Sequence, residues 1–300
     1  MKKFRFIYLL LLLIFAGVTG YSQDFNPNLI KGLQAVENGN YADGLKYFKQ
    51  GALEGDKYSC GRLAALYFYG LGTDTNYDEA KKWAQKGYEL GNSYAAAIAG
   101  FCKLYEKGME TPEGRKVAQP YLIYAYQADD AEFDNEELYA NVGLMIAYAE
   151  LDKGNEKEAL KWIERTINDF PTYAPTLGLG AMLYWGLNDY EKAVKYAFIA
   201  DKENNLYGTL VLGLCLAHGT GIAKDEVAGF NKIKKVATIG TPEIAMYYLG
   251  NCYYYGIGTP VNKTLAKEWY QKAANAGVPE AQEMLENFTG TSTSHSSTIH

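Results

Sequence analysis

Three histidines, four cysteines and several clustered carboxylates are the side chains of this 300-residue chain that could support acid–base, nucleophilic or metal chemistry. Their spacing argues against all three. Histidine is the commonest general base and a common metal ligand, yet His295 and His300 lie in a Ser/Thr-rich C-terminal stretch and His218 stands alone beside Gly219. At the end of a helix, His218 suits the macrodipole, which needs no catalytic role. Cys60, Cys102, Cys215 and Cys252 form no C-x-x-C pair and no zinc spacing. The carboxylates of Asp129, Asp130, Glu132, Asp134, Glu136 and Glu137 crowd into one connection without paired-carboxylate logic. No G-x-S-x-G, P-loop or H-E-x-x-H occurs. The sequence therefore points away from an enzyme and implies no metal and no cofactor. What it holds in excess is tyrosine, 27 residues, whose ring is apolar and whose hydroxyl seeks a polar partner.

The elements that must position those rings are announced by internal repetition. Moving residues 247–282 back by 37 residues sets Gly213, Gly219, Gly221 and Gly240 opposite Gly250, Gly256, Gly258 and Gly277. Moving them back by 186 sets Gly70, Gly72, Ala80, Trp83 and Gly91 opposite Gly256, Gly258, Ala266, Trp269 and Gly277. A period in the middle to upper thirties is the signature of stacked helical hairpins. Within one unit, Leu249, Gly250 and Tyr253 mark the packed face of a first helix. Gly256 and Gly258 stop it, and Asn262 caps a second helix with a stripe of Leu265, Ala266, Trp269, Tyr270, Ala273 and Ala274. Gly277 ends that helix, and Pro279 opens the next.

The string LGxxYxxGxG, followed by Ala-x-x-Trp-Tyr-x-x-Ala-Ala-x-x-Gly, resembles the Sel-one-like subfamily of tetratricopeptide repeats. The likeness is close over 57–93, 206–242 and 243–279, while the middle of the chain resembles ordinary tetratricopeptide units. Two departures stand out: Lys232 replaces a tryptophan, and 131–150 carries a longer first helix. A column of small residues, Gly44, Ala80, Ala118, Ala159, Ala193, Gly229 and Ala266, gives about seven hairpins. The resemblance implies an all-α fold, a right-handed α-α solenoid over 25–287 closed by a capping helix from Pro279 to Glu286. It also implies a concave groove lined from the first helices. Carried onto this chain, those positions hold Ile244, Tyr247, Asn251, Tyr254 and Tyr255, one unit earlier Tyr207 and His218, and in the fifth unit Tyr184 and Trp185. In the second unit they hold Tyr58, Phe68 and Tyr69. These rings either form a recognition surface or pack between repeats.

Residues 1–22 are of another kind. Lys2, Lys3 and Arg5 precede an apolar run from Phe6 to Val18 that ends in small residues, the layout of a secretory signal peptide. Its removal would take the net charge from −6 to −9, a poor balance for binding nucleic acid. Export to the periplasm, the cell envelope or the exterior of a bacterium is the expectation, with no membrane insertion after cleavage. The tail, 288–300, is expected to be disordered. Two arrangements are open for the cysteines: buried free thiols, or a Cys215–Cys252 bridge between equivalent positions. The functional expectation is a non-enzymatic scaffold that takes a protein or peptide partner in its aromatic groove. A carbohydrate or cell-wall binder and a structural periplasmic spacer are the alternatives.

Overall fold

The computed structural model describes residues 25–108, 111–128 and 136–289. Fifteen helices and no strand occur among them. In chain order they are α1 (Pro27–Glu37), α2 (Tyr41–Leu53), α3 (Lys57–Tyr69), α4 (Tyr77–Glu89), α5 (Ser93–Lys107), α6 (Pro112–Gln127) and α7 (Glu136–Asp152). There follow α8 (Glu156–Asp169), α9 (Ala174–Gly186), α10 (Tyr190–Lys202), α11 (Leu206–His218), α12 (Glu226–Ile239), α13 (Ile244–Tyr255), α14 (Lys263–Asn275) and α15 (Pro279–Thr289). That is the helix order of seven two-helix units and one closing helix. The leader assigned to residues 1–22 lies outside the described residues, as do residues 290–300 of the tail.

Local chemistry explains where the second helices begin. Each of α2, α4, α10, α12 and α14 starts at an Asn or Asp whose side chain accepts a backbone N–H three residues on. At α14 the cap is Asn262, whose Oδ1 accepts from Leu265 N at 3.0 Å. The small-residue column then lets each second helix close on its first, and all seven of its members are buried. Gly250 shows why the facing helix needs a small residue too. A Cβ there would lie 2.6 Å from the ring of Tyr270, so α13 and α14 meet ring against bare backbone.

The turn between paired helices also joins neighbouring hairpins. Gly258 has φ +65°, and a Cβ on it would sit 2.0 Å from the carbonyl oxygen of Glu226, the first residue of α12. Its equivalents Gly72 and Gly221 press in the same way on Tyr41 and Tyr190, the first residues of α2 and α10. The second glycine of the turn is thus a contact between one hairpin and the one before it.

Packing divides the chain into two compact units, residues 1–162 and 163–300, with the boundary inside α8. In the first unit α1 packs on α2, α3 on α4 and α5 on α6, and each second helix packs on the next first helix. The third hairpin forms both helices although Pro120 stands inside α6 and removes one N–H from its ladder. Glu150 on α7 accepts from Gln119 Nε2 (2.6 Å), Lys153 Nζ (2.9 Å) and Asn155 Nδ2 (2.9 Å), tying α6 to the end of α7. Burial alone would raise its pKa, but these hydrogen bonds outweigh it and hold the carboxyl below the usual carboxylate value.

The second unit repeats the scheme with α9–α10, α11–α12 and α13–α14, around Leu210, Leu214, Ile233, Leu249, Ala266 and Tyr270. Lys232, which stands where α14 carries Trp269 and α4 carries Trp83, reaches back to Asp201 at 2.7 Å. An ion pair to the preceding hairpin thus replaces ring packing. The last helix, α15, buries Ala281 and Leu285 and exposes Glu280, Glu283 and Glu286. It runs to Thr289, past the expected end at Glu286. Phe288 continues the stripe of Ala281, Met284 and Leu285 and lies on Tyr254 and Tyr270, so residues 288 and 289 belong to the helix and not to the tail.

All four cysteines are free and buried, which sets aside the Cys215–Cys252 bridge. Burial pushes the Cys60 thiol up to about 11 and those of Cys102 and Cys252 up to about 12.

Three measurements check this packing. Gly277 also has positive φ (+90°), but no atom lies within 4 Å of where its Cβ would be. Gly277→Ala should therefore cost about 1 kcal/mol for the backbone alone. Gly258→Ala should cost roughly 3 kcal/mol in urea unfolding, because crowding is added; equal costs would show that the turn is no spacer. Glu150→Gln should destabilise by about 1–2 kcal/mol at pH 7. Because the folded pKa of Glu150 lies below its ordinary 4.5, its contribution is complete above that value and fades as pH falls below it. The variant's deficit should shrink in the same window. Finally, a thiol reagent should modify none of the four cysteines rapidly in the native protein and all of them after denaturation.

Candidate functional site

In the second unit the expected groove residues of α13 do share one side of the helix, since Tyr247, Asn251, Tyr254 and Tyr255 recur at helical spacing. Tyr270 of α14 lies beneath them, fully buried, because Gly250 admits its ring. Its hydroxyl emerges at Asn251 and donates to Oδ1 at 2.7 Å. The Asn251 amide nitrogen keeps its two N–H donors free among the described residues. Tyr247 and Tyr254 rest against Tyr270, with ring centroids 5.9 and 6.4 Å away. Tyr255 stands edge-on to Tyr254 at 4.8 Å and is 57% exposed. The rings of Tyr247 and Tyr254 are half-buried, as is Tyr207 on α11.

Further side chains complete this face, and the groove frame did not reveal them. Phe288 covers Tyr254 from α15 at 5.6 Å. Trp185 of α9 meets Tyr248 of α13 edge to face at 5.8 Å, and both pack against the core of the second unit. Tyr248 is one position off the expected groove frame, beside Tyr247. Lys263, the first residue of α14, holds its ammonium 5.1 Å above the Tyr254 ring. The face therefore gains a basic residue from the second helix. Its sequence signal was the position directly after the Asn262 cap. Burial pushes the Tyr248 hydroxyl up to about 12, and burial followed by the neighbouring tyrosines Tyr254 and Tyr247 raises that of Tyr255. These phenols stay neutral donors near pH 7.

Two expected groove residues are not surface. Tyr184 is 3% exposed. It leans on Tyr196, donates its hydroxyl to Glu164 and has the Lys192 ammonium 4.6 Å over its ring. Phe68 is 8% exposed, enclosed by Tyr69, Tyr77 and Tyr105. Both sit next to a ring that does reach the surface, Trp185 and Tyr69, and one residue along a helix turns the side chain by about 100° into the core. In the first unit Tyr58 is half-buried under Phe25, with Lys57 4.9 Å over its ring. His218 is exposed at the end of α11.

Among the described residues no group of three His, Cys, Asp or Glu is arranged to hold a metal ion, and no helix is long and apolar enough to cross a membrane. Paired helices, glycine turns and a surface of rings define an α-hairpin repeat protein. The particular repeat is the Sel1 repeat, whose family pattern matches residues 30–56, 57–92, 177–200, 207–231 and 244–278. The chain is a Sel1-repeat protein, and such repeats typically serve as scaffolds for protein–protein interaction. Among solved structures it is similar to c5321, a protective antigen of uropathogenic Escherichia coli strains displaying an SLR fold, at 22% identity over 83% of this chain, with TM-score 0.59. The chain spans about half of that protein, 52% of its length. It is also similar to a Sel1 repeat protein from Oxalobacter formigenes, at 22% identity over 83% of this chain and 97% of the other, with TM-score 0.56. At such identity these likenesses speak for the fold alone.

Proposed function

We propose that this protein is an exported, non-enzymatic scaffold that captures a protein partner on the aromatic face of α13. The observation that carries this reading is Tyr255, a large ring left 57% exposed beside half-buried Tyr254 and Tyr247, with free N–H donors on Asn251 between them. A solvated helix surface would select charge at such positions, whereas rings backed by a rigid layer suit a binding hot spot. The layer beneath is rigid because Tyr270 is locked by Gly250 on one side and by Asn251 on the other. Export is supported by the basic start, apolar run and small-residue end of residues 1–22. Trp185 and Tyr248 engage each other and so are less free to take a ligand. The accessible portion is the edge near Tyr255 and Lys263, which suits an extended segment better than a helix of about 10–12 Å diameter.

Tyr254 packs on Tyr270 and Phe288 and its removal would also loosen α15, so the informative substitution is Tyr255→Ala alone. Pull-down from envelope extract should lose its partner, with affinity down by about 2 kcal/mol or more, while the circular dichroism melt stays within about 0.5 kcal/mol of the parent. Undiminished capture by the folded variant would remove the α13 face from consideration.

A further inference from the structure

Away from α13, the first unit builds a second cluster of rings, which joins the expected groove residues Phe68 and Tyr69 to Tyr77 and Tyr105. Phe68 and Tyr69 end α3, and the turn that follows brings Tyr77, the first residue of α4, back beside them. Tyr105 arrives near the end of α5, which packs on both α3 and α4. Phe68 forms the floor. Tyr69, Tyr77 and Tyr105 stand at 85°, 77° and 79° to its plane, with centroids 5.1, 5.6 and 5.2 Å away. Tyr77 and Tyr105 stack on each other at 5.2 Å and 23°, making a double wall. The three walls are 45–49% exposed.

Charge separates this cluster from other rings of the molecule. Many surface rings already carry a cation of the chain itself, such as Arg62 over Tyr94 at 4.5 Å and Lys272 over Trp269 at 4.1 Å. No lysine or arginine among the described residues stands over Tyr69, Tyr77 or Tyr105. The nearby Lys81 is committed to Glu106 at 2.8 Å, and Lys103 lies 3.9 Å from the same carboxylate. Asp74 and Asp78 flank Tyr77 in the chain, Glu137 acts on the Tyr69 hydroxyl, and none of these three carboxylates forms an ion pair among the described residues. Ring faces carry negative quadrupole potential and attract a desolvated cation. Here Glu137 adds negative potential at Tyr69, and Asp78 shares the field of Lys81, whose ammonium is held by Glu106.

We propose that Tyr69, Tyr77 and Tyr105, standing on Phe68, with Glu137 acting at Tyr69 and Asp74 and Asp78 close to Tyr77 in the chain, form a second docking site that takes a lysine or arginine side chain from an extended, basic segment of a protein partner. The site is independent of the α13 face, so either can fail without the other. Burial raises the Tyr69 hydroxyl to about 12, which keeps the wall a neutral phenol over the working range.

The test uses the full folded chain and three short unstructured peptides identical except at one central position, which carries Lys, its uncharged isostere norleucine, or Glu. Chemical-shift changes and titration should show the Lys peptide binding at Tyr69, Tyr77 and Tyr105, about fivefold or more tighter than the norleucine peptide. The Glu peptide should not bind, and affinity should fall as salt rises. Tyr105→Leu should weaken the Lys peptide by about two- to fivefold. The paired substitution Asp74→Asn with Asp78→Asn touches no packed ring. It should weaken binding as well and keeps the test decisive if the Leu variant is destabilised. Tyr255→Ala should leave this binding intact. Equal affinity for the Lys and norleucine peptides, binding insensitive to the paired Asn substitution, or shifts confined to other residues would each overturn the proposal.

Discussion

The arrangement rests on backbone meeting backbone where a Cβ would not fit. At Gly72, Gly221 and Gly258 the turn of one hairpin lies directly against the first residue of the preceding hairpin's second helix. That contact fixes both the distance and the rotation between neighbouring units, because the turn has no side chain with which to adjust. Everything else is then placed by covalent geometry: the Asn or Asp cap follows the turn, the second helix follows the cap, and its small residues fall opposite the first helix. The same logic recurs inside a hairpin at Gly250, where the ring of Tyr270 fills the volume that a side chain would have taken.

With the frame fixed by small residues, large ones become the variable part. A ring admitted by a facing glycine disappears, as Tyr270 does against Gly250. The rings of Tyr247 and Tyr254, which rest on Tyr270, stay half-buried. Because aromatic side chains offer large area with few rotatable bonds, rows of them can be held without a dedicated scaffold of hydrogen bonds. The two clusters nevertheless differ in electrostatics. The α13 face has Lys263 over one of its rings, while the α3–α5 cluster carries no lysine or arginine over its walls among the described residues and has Glu137 acting at Tyr69. One repeated architecture thus presents two aromatic surfaces with different charged neighbours.

The features legible in the sequence are those with a strictly local cause. Positive φ in a turn demands glycine, an open helix N-terminus demands Asn or Asp, and close helices demand Gly or Ala. The repeat length, the caps and the column from Gly44 to Ala266 could all be read on that basis, and so could the long α7. Ring exposure could not, because it depends on side chains supplied by other hairpins. Phe68 vanishes under rings from α4 and α5, Tyr184 is drawn in by Glu164 and Lys192, and Tyr254 is covered by Phe288. Phe288 itself was readable in principle, since it continues the stripe of Ala281 and Leu285. The Ser/Thr-rich residues just beyond it hid the continuation. Lys232 was legible as a departure from the pattern, but its partner Asp201 sits 31 residues away in the preceding hairpin.

A chain of self-similar hairpins carries a hazard that irregular folds lack. The open side of its last hairpin is shaped for another hairpin, and a second molecule could supply one. Such head-to-tail contacts do not close on themselves and lead to filaments. The outward row of Glu280, Glu283 and Glu286 on α15 opposes this growth, because an arriving apolar face would have to desolvate three carboxylates spaced one turn apart. The same helix that buries Ala281 and Leu285 against α14 thus turns a charged row outward, where a bare hairpin would offer an apolar face.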